Sequence, residues 1–287
     1  MSDLSKALHS ATYGTQIWVA EGIYHPTFSN DRKASFFMKD GVQLFGGFAG
    51  NEASINDRKV ELHPTVLSGE IGNMGIQDNT YSVIQLSGAS ESTVIDGFVI
   101  TGGNANGDVD EAGKSRCGGG MYIDGAQKIC KPTIRKCTFK ANYARDGAAV
   151  YNNGRNGESS PTFIDCLFSG NEAGLDGGAI YNDGRLGGKS NPTLTNCHFE
   201  RNMGTYGGAI CNATETGICN LTLENCSFIE NAAYLRGGAV FNMNGDEQCQ
   251  LEISDCQFKG NFPDDQDMIF TSSQARAQVF KVMRSEP

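Results

Sequence analysis

The stretch Gly177-Gly178-Ala179-Ile180-Tyr181-Asn182, closed by Cys197-His198-Phe199-Glu200-Arg201-Asn202, decides the fold. The same phrase recurs on both sides of it. Small-residue clusters open at Gly118, Gly147, Gly177, Gly207 and Gly237, in steps of 29, 30, 30 and 30 residues. The closing cysteines are Cys137, Cys166, Cys197, Cys226 and Cys256, each two residues before a Phe and five before an Asn. A period held this tightly is one structural turn per repeat, a solenoid. Within a repeat the apolar residues alternate in three short patches, such as Ala209-Ile210, Leu221 with Leu223, and Cys226 with Phe228. Alternation predicts strands. The phase slips by one residue at Asn225, which would turn the inward face outward unless the chain bends there. Each repeat is therefore expected to be three strands joined by bends, one coil of a parallel β-helix. Coils stack about 4.8 Å apart, so five repeats span roughly 24 Å.

Stacking turns sequence columns into ladders of touching side chains. Asn142, Asn171, Asn202, Asn231 and Asn261 form one column, and Asn152, Asn182, Asn212 and Asn242 a second. A carboxamide at a bend bonds the coil above and the coil below, so both columns are expected to be interior and structural. The five closing cysteines share a face with the phenylalanines and are expected to pack as small apolar residues. A linear column does not converge on one point as metal ligands must. Cys219 and Cys249 each lie seven residues before a closing cysteine, as Cys130 does. They fall in neighbouring coils in one register, within bridging distance if their side-chain vectors agree.

Composition agrees with this architecture. Glycine makes up 37 of 287 residues, nearly twice average usage, and charged residues only 20%. The balance suits tight turns and short strands rather than helical bundles. A net charge of −10 without a basic stripe argues against a nucleic-acid partner. No apolar run has the length of a membrane-spanning helix. Residues 1–10 are polar and lack the apolar stretch of a secretory signal. The expected setting is secreted or cell-surface, with any signal peptide absent from this chain.

The chain is expected to be one domain. Residues 1–14 form a helical cap over 3–13, with Leu4, Leu8 and Ala11 on one face and Gly14 ending it. Such a cap protects an open sheet edge. Residues 15–116 are irregular coils, with strands expected at 17–19, 35–38, 41–45, 65–67, 81–86 and 93–100, and corners at Gly46-Gly47, Gly69 and Gly102-Gly103. They add about three coils to the five regular ones over 117–261. Residues 51–64 and 104–116 are expected to be loops. Residues 262–287 are expected to form a second cap, with Ala275, Val279 and Met283 on one helical face.

The Gly-Gly-Ala-Ile phrase (177–180, 207–210), its variant Gly-Gly-Ala-Val (237–240) and Phe-x-x-Asn (139–142, 168–171, 199–202, 228–231, 258–261) resemble the repeats of the chlamydial polymorphic outer-membrane proteins. Ile17-Trp18-Val19-Ala20-Glu21-Gly22-Ile23-Tyr24, Gly46-Gly47-Phe48-Ala49-Gly50 and the 95–103 stretch look like the opening of secreted bacterial proteins with the pectin-lyase-like fold. The resemblance implies an all-β fold, a right-handed parallel β-helix, and attachment at a cell surface. It is weak on function, because this fold hosts adhesins, lyases and hydrolases alike. The chain is expected to depart from those outer-membrane proteins in leaving no room for a membrane barrel after residue 287.

One further column bears chemistry. The residues just before each small cluster are Cys117, Asp146, Asp176, Tyr206 and Arg236. Asp146 and Asp176 fall one coil apart, close to the separation of a retaining glycosidase pair. Tyr206 continues the line as a sugar-binding residue, and Arg236 as a partner for an anionic group. The plain alternative is a row of solvated turn residues. No Gly-His-Gly, Asn-Thr-Asp or Arg-Ile-Lys signature of polygalacturonases is present, and no clear pectate-lyase set. The function expected is therefore an adhesin-like module that binds a polysaccharide or a surface protein. The alternatives are a polysaccharide lyase or glycoside hydrolase with a groove along the coils, and a structural part of a larger cell-surface assembly. Asp108, Asp110 and Glu111 in the 104–116 loop are the candidates for Ca²⁺, at a spacing that matches no recognised loop motif. No other cofactor is expected.

Overall fold

The computed structural model describes residues 3–72, 75–108, 113–243 and 249–263, and the backbone of 269–271. Three eight-stranded sheets run the length of the molecule, every pairing parallel, and each coil contributes one strand to each sheet. The result is a right-handed β-helix of eight coils, five regular and three irregular. In the central coil the strands are Thr193–Thr195, His198–Glu200 and Ile210–Ala213, and they pair with Thr162–Ile164, Leu167–Ser169 and Ile180–Asp183 of the coil before. A fourth strand is added in five coils, at Asn104–Ala105, Tyr143–Ala144, Glu172–Ala173, Met203–Tyr206 and Ala232–Arg236. In the last four of these coils it follows the closing asparagine, and it was not expected from the three apolar patches. Its inward residues are mostly alanine, which gives too little apolar contrast to register as a strand.

The bends are left-handed. Lys136, Asp165, Asn196, Asn225 and Asp255, each immediately before a closing cysteine, have φ between 50° and 55°. That conformation produces the phase slip. Asn and Asp tolerate it better than other side chains do. A second set of left-handed corners precedes each closing asparagine, at Ala141, Gly170, Arg201, Glu230 and Gly260. A third lies at the cluster glycines: Gly207 has φ 66°, and a Cβ there would collide with the Ile210 carbonyl oxygen.

The interior is built from the ladders. Phe139, Phe168, Phe199, Phe228 and Phe258 stack with ring centroids 4.6–5.0 Å apart and planes within 6°. In the asparagine ladder, Asn171 Nδ2 donates to Phe139 O at 3.0 Å and to Asn202 Oδ1 at 2.9 Å, and Asn171 Oδ1 accepts from the Asn142 backbone N–H at 3.2 Å. The pattern repeats down to Asn261. The second ladder links Asn152, Asn182, Asn212 and Asn242 through amide contacts of 2.6–2.7 Å. The ladders thereby meet most of the polar groups they carry inward, as burial demands. Asn152 Oδ1, at the start of the second ladder, and the buried Ser159 and Ser190 hydroxyls have no partner among the described residues.

At the N-terminal end, helix α1 (Leu4–Ser10) buries Leu4 and Leu8 against the first coil, and the Asp3 side chain caps it. The helix is shorter than expected. Its C-cap is Ala11, and Gly14 instead turns the chain into the first strand, Gln16–Ala20. The strand expected over 93–100 is two, Val94–Asp96 and Phe98–Thr101, broken by Gly97 at φ 84°. The loop expected from 104 begins with a two-residue strand. The helical cap expected at Ala275, Val279 and Met283 lies outside the described residues. All ten cysteines are free and buried, Cys219 and Cys249 included.

Candidate functional site

Stacking brings the predicted column together as a line. Cys117 bridges Asp146, Asp176 bridges Tyr206, and Tyr206 is in register with Arg236. Gly147 N–H donates to Asp176 O at 2.9 Å, which ties the Asp146 and Asp176 coils. The four residues do not surround one point, because Arg236 stands three coil spacings, about 14 Å, from Asp146.

Their environments differ sharply. Asp146 is only 2% exposed. Its Oδ2 accepts from Arg145 Nε at 2.9 Å and pairs with the Arg145 guanidinium at 2.8 Å, with the Cys117 thiol 3.8 Å away. The cation beside this carboxylate is thus Arg145, its chain neighbour. Asp176 is half-buried. Its backbone N–H meets Asp146 Oδ1 at 3.4 Å. Burial, with the Asp146 charge adding to it, pushes the Asp176 carboxyl up to about 6. Cys117 is held protonated by burial and by the same Asp146 charge. The pair therefore holds one carboxyl bound to Arg145 and one that keeps its proton well above the usual carboxylate range. Tyr206 lies against Phe241, ring centroids 4.7 Å apart.

Beyond Arg236 the surface turns apolar. Tyr234 and Leu235 are 72% and 55% exposed, and Phe262 in the next coil and Leu175 two coils before are exposed as well. The lip arises because the strand Ala232–Arg236 carries a register shift against Met203–Tyr206, between Gly204 and Tyr206.

A second constellation went unnoticed in the sequence. The outward face of the sheet containing Ile180–Asp183 is buried, with Tyr122, Tyr151 and Tyr181 stacked 5.3–5.4 Å apart beside Cys117 and Cys211. Asp183 is completely buried there. It accepts from the Tyr151 hydroxyl at 2.5 Å, from Arg155 at 2.6 Å and from Arg185 at 2.8 and 2.9 Å. Burial opposes its charge, but Arg185, Tyr151 and Arg155 together hold the carboxyl below its usual range. The sequence signal was the echo of Tyr151-Asn152-Asn153-Gly154-Arg155 in Tyr181-Asn182-Asp183-Gly184-Arg185.

Two open clefts lie elsewhere. One, of about 410 Å³, is walled by Ile23, Phe28 and Ile71 with His25 and Glu70; the other, of about 300 Å³, holds His198 and Ser227 in hydrogen-bond contact. Neither includes a member of the column. Asp108 is exposed, whereas Asp110 and Glu111 lie outside the described residues. Among the described residues no three His, Cys, Asp or Glu side chains are grouped to hold a metal ion.

With the geometry in view, the repeat itself can be placed. Residues 165–183 match the model of the Chlamydia polymorphic membrane protein (Chlamydia_PMP) repeat. The matched stretch runs from the Asp165 corner through Cys166, Phe168 and Asn171 to Asp176, the Gly177-Gly178 turn and Asp183. A PMP-type repeat is therefore less than a full coil, and it contains one member each of the cysteine, phenylalanine and asparagine ladders. No curated protein and no solved structure matches the chain.

Proposed function

We propose that this β-helix is a module displayed at a cell surface, or secreted, that binds a glycan or a surface protein along the line from Asp176 through Tyr206 and Arg236 to Tyr234 and Leu235. The observation that carries this reading is the lip itself. Two large apolar side chains stand in solvent next to a charged line. Exposed aromatic surface beside directional polar groups is the composition of a recognition site. Also in support, the PMP-type repeat belongs by its description to membrane proteins, and no helix among the described residues is long and apolar enough to cross a membrane. Attachment to a larger surface assembly fits the same reading.

The test is binding of the intact chain to a glycan array and to immobilised cell-surface proteins, compared with Tyr234→Ala and Arg236→Glu. Loss of binding by roughly tenfold or more in both variants, with unchanged melting, supports the site. Equal binding by all three proteins removes it.

One observation favours a second reading, polysaccharide cleavage: the Asp176 carboxyl, pushed up to about 6, beside a second carboxyl one coil away. Here Asp176 is the proton donor, Asp146 the second carboxyl and Arg236 the partner of an acidic sugar. Against it, Asp146 is sealed by Arg145 and cannot approach an anomeric carbon. Release of new chain ends from acidic polysaccharides that disappears in the Asp146→Asn, Asp176→Asn double variant would establish it.

A further inference from the structure

We infer that Cys219 and Cys249 are the two halves of a redox-controlled clamp, closed as a disulfide in an oxidising compartment, that pins the last regular coil to the one before it. This inference does not depend on the binding reading above.

The geometry comes from register. Leu221–Glu224 and Leu251–Ser254 pair residue for residue, Leu221 N–H donates to Gln250 O at 2.9 Å, and Gln250 N–H donates to Asn220 Oδ1 at 3.1 Å. Cys219 and Cys249 each stand one residue before these bonded neighbours. They sit at equivalent positions of adjacent coils, where parallel backbones run about 4.8 Å apart, inside the Cα range of disulfides.

The other cysteines are placed differently. Cys130 faces Ser159 across its sheet, and Cys117 faces Asp146, so neither has a thiol in the next coil. Cys211 stands in line with Tyr181 and Phe241. The five closing cysteines do neighbour one another, and their thiols donate to backbone carbonyls at the bends, as Cys166 does to Ile134 and Ile164. Cys219 likewise donates to Asn182 O and Ala213 O at 3.4 Å, so what sets the Cys219–Cys249 pair apart is the access that Cys249 gives it. They lie deep in the stack. Cys249 is the most exposed of the ten, at 9%. It is the sulfur through which exchange enters.

The chemistry balances with a disulfide donor such as oxidised glutathione or a disulfide-exchange enzyme. The Cys249 thiolate attacks one donor sulfur and releases the first donor thiolate. The Cys219 thiolate then attacks Cys249 Sγ and releases the second. Two thiol protons pass to the released donors, two electrons reduce the donor, and one S–S bond forms. Burial holds both thiols protonated, so exchange is fastest while the last coil is docking or opening. The bond then encloses one full coil and restricts that opening.

The experiment uses the whole chain, prepared reduced and then incubated with oxidised glutathione at mildly alkaline pH. It is denatured in an alkylating agent and mapped by mass spectrometry. A Cys219–Cys249 peptide with the other eight of the ten cysteines alkylated is the expected result. Oxidation should raise the melting temperature of the wild type by roughly 5 °C. Cys249→Ser and Cys219→Ser should show no such rise, and each should match the reduced wild type in circular dichroism. Ten alkylated cysteines, or a bridge through Cys211 or a closing cysteine, would overturn the clamp. So would an equal rise in Cys249→Ser. Should Cys219→Ser fail to fold, the Cys249→Ser comparison decides alone.

Discussion

At the scale of single residues, Asp146 and Asp176 show how one column gives two chemistries. Both precede a left-handed glycine and differ by one coil, yet Asp146 has an arginine beside it and Asp176 has a buried negative neighbour. A carboxyl raised to about 6 in the fold and near 3.8 without it binds its proton more tightly when folded. Folded protein therefore holds more protons than unfolded protein between about pH 4 and 6, and stability falls as pH rises through that window, then levels. Asp176→Asn should abolish that slope and stabilise the protein above pH 6 by about 2 kcal/mol, after discounting for its partial exposure. Urea midpoints of the two proteins from pH 4 to 8 check this; parallel curves would mean that Asp176 titrates normally. The column itself was legible in the sequence because it keeps the beat. Its electrostatics were not, since the sealing Arg145 lies outside the repeating phrase.

Among elements, the ladders were legible and their coverings were not. Asn202 repeats in five coils, so its inward position followed from the period alone. Tyr151 and Tyr181 also repeat, but alternation assigns them to the outward face, which ordinarily means solvent. They are buried because Arg155, Arg185 and Cys219 fold over that face from the connecting turns. Arg155 and Arg185 do recur thirty residues apart, but a charged residue in a turn reads as solvated. The corners before the asparagines stayed hidden for a similar reason. Gly170 and Gly260 mark them, but Ala141, Arg201 and Glu230 carry no sign of a left-handed backbone. The ladder's worth can be measured. Asn202→Ala removes the acceptor used by the Asn171 N–H and the donor used by Phe168 O, leaving both buried without their partner. Each stranded group costs about 1–3 kcal/mol, so a loss of about 3 kcal/mol is expected. A fall in the denaturant midpoint with an unchanged slope would show it. A loss below 1 kcal/mol would mean that water replaces the amide.

Over the whole molecule, the eight coils are eight solutions of one packing problem, and each touches only its neighbours. Cutting out residues 207–236 joins Tyr206 to Gly237, two residues that already meet equivalent turns. In the shortened chain Phe199 would stack on Phe258, Asn202 on Asn261 and Leu194 on Ile253, because each pair already lies in one column through Phe228, Asn231 and Leu223. The Asp183 cluster and the Asp146–Asp176 pair stay whole. The expected product is a folded solenoid of seven coils, with the same far-ultraviolet circular dichroism per residue and a long axis shorter by about 4.8 Å in X-ray scattering. Removing only 207–221 puts Leu223 where a cluster glycine belongs and turns the inward face outward, so that chain should not fold. If both deletions behave alike, the thirty-residue beat is not the unit of this structure. The full-repeat deletion also takes away Tyr234, Leu235 and Arg236, so it should keep its fold and lose the proposed ligand, which separates the scaffold from the surface built on it.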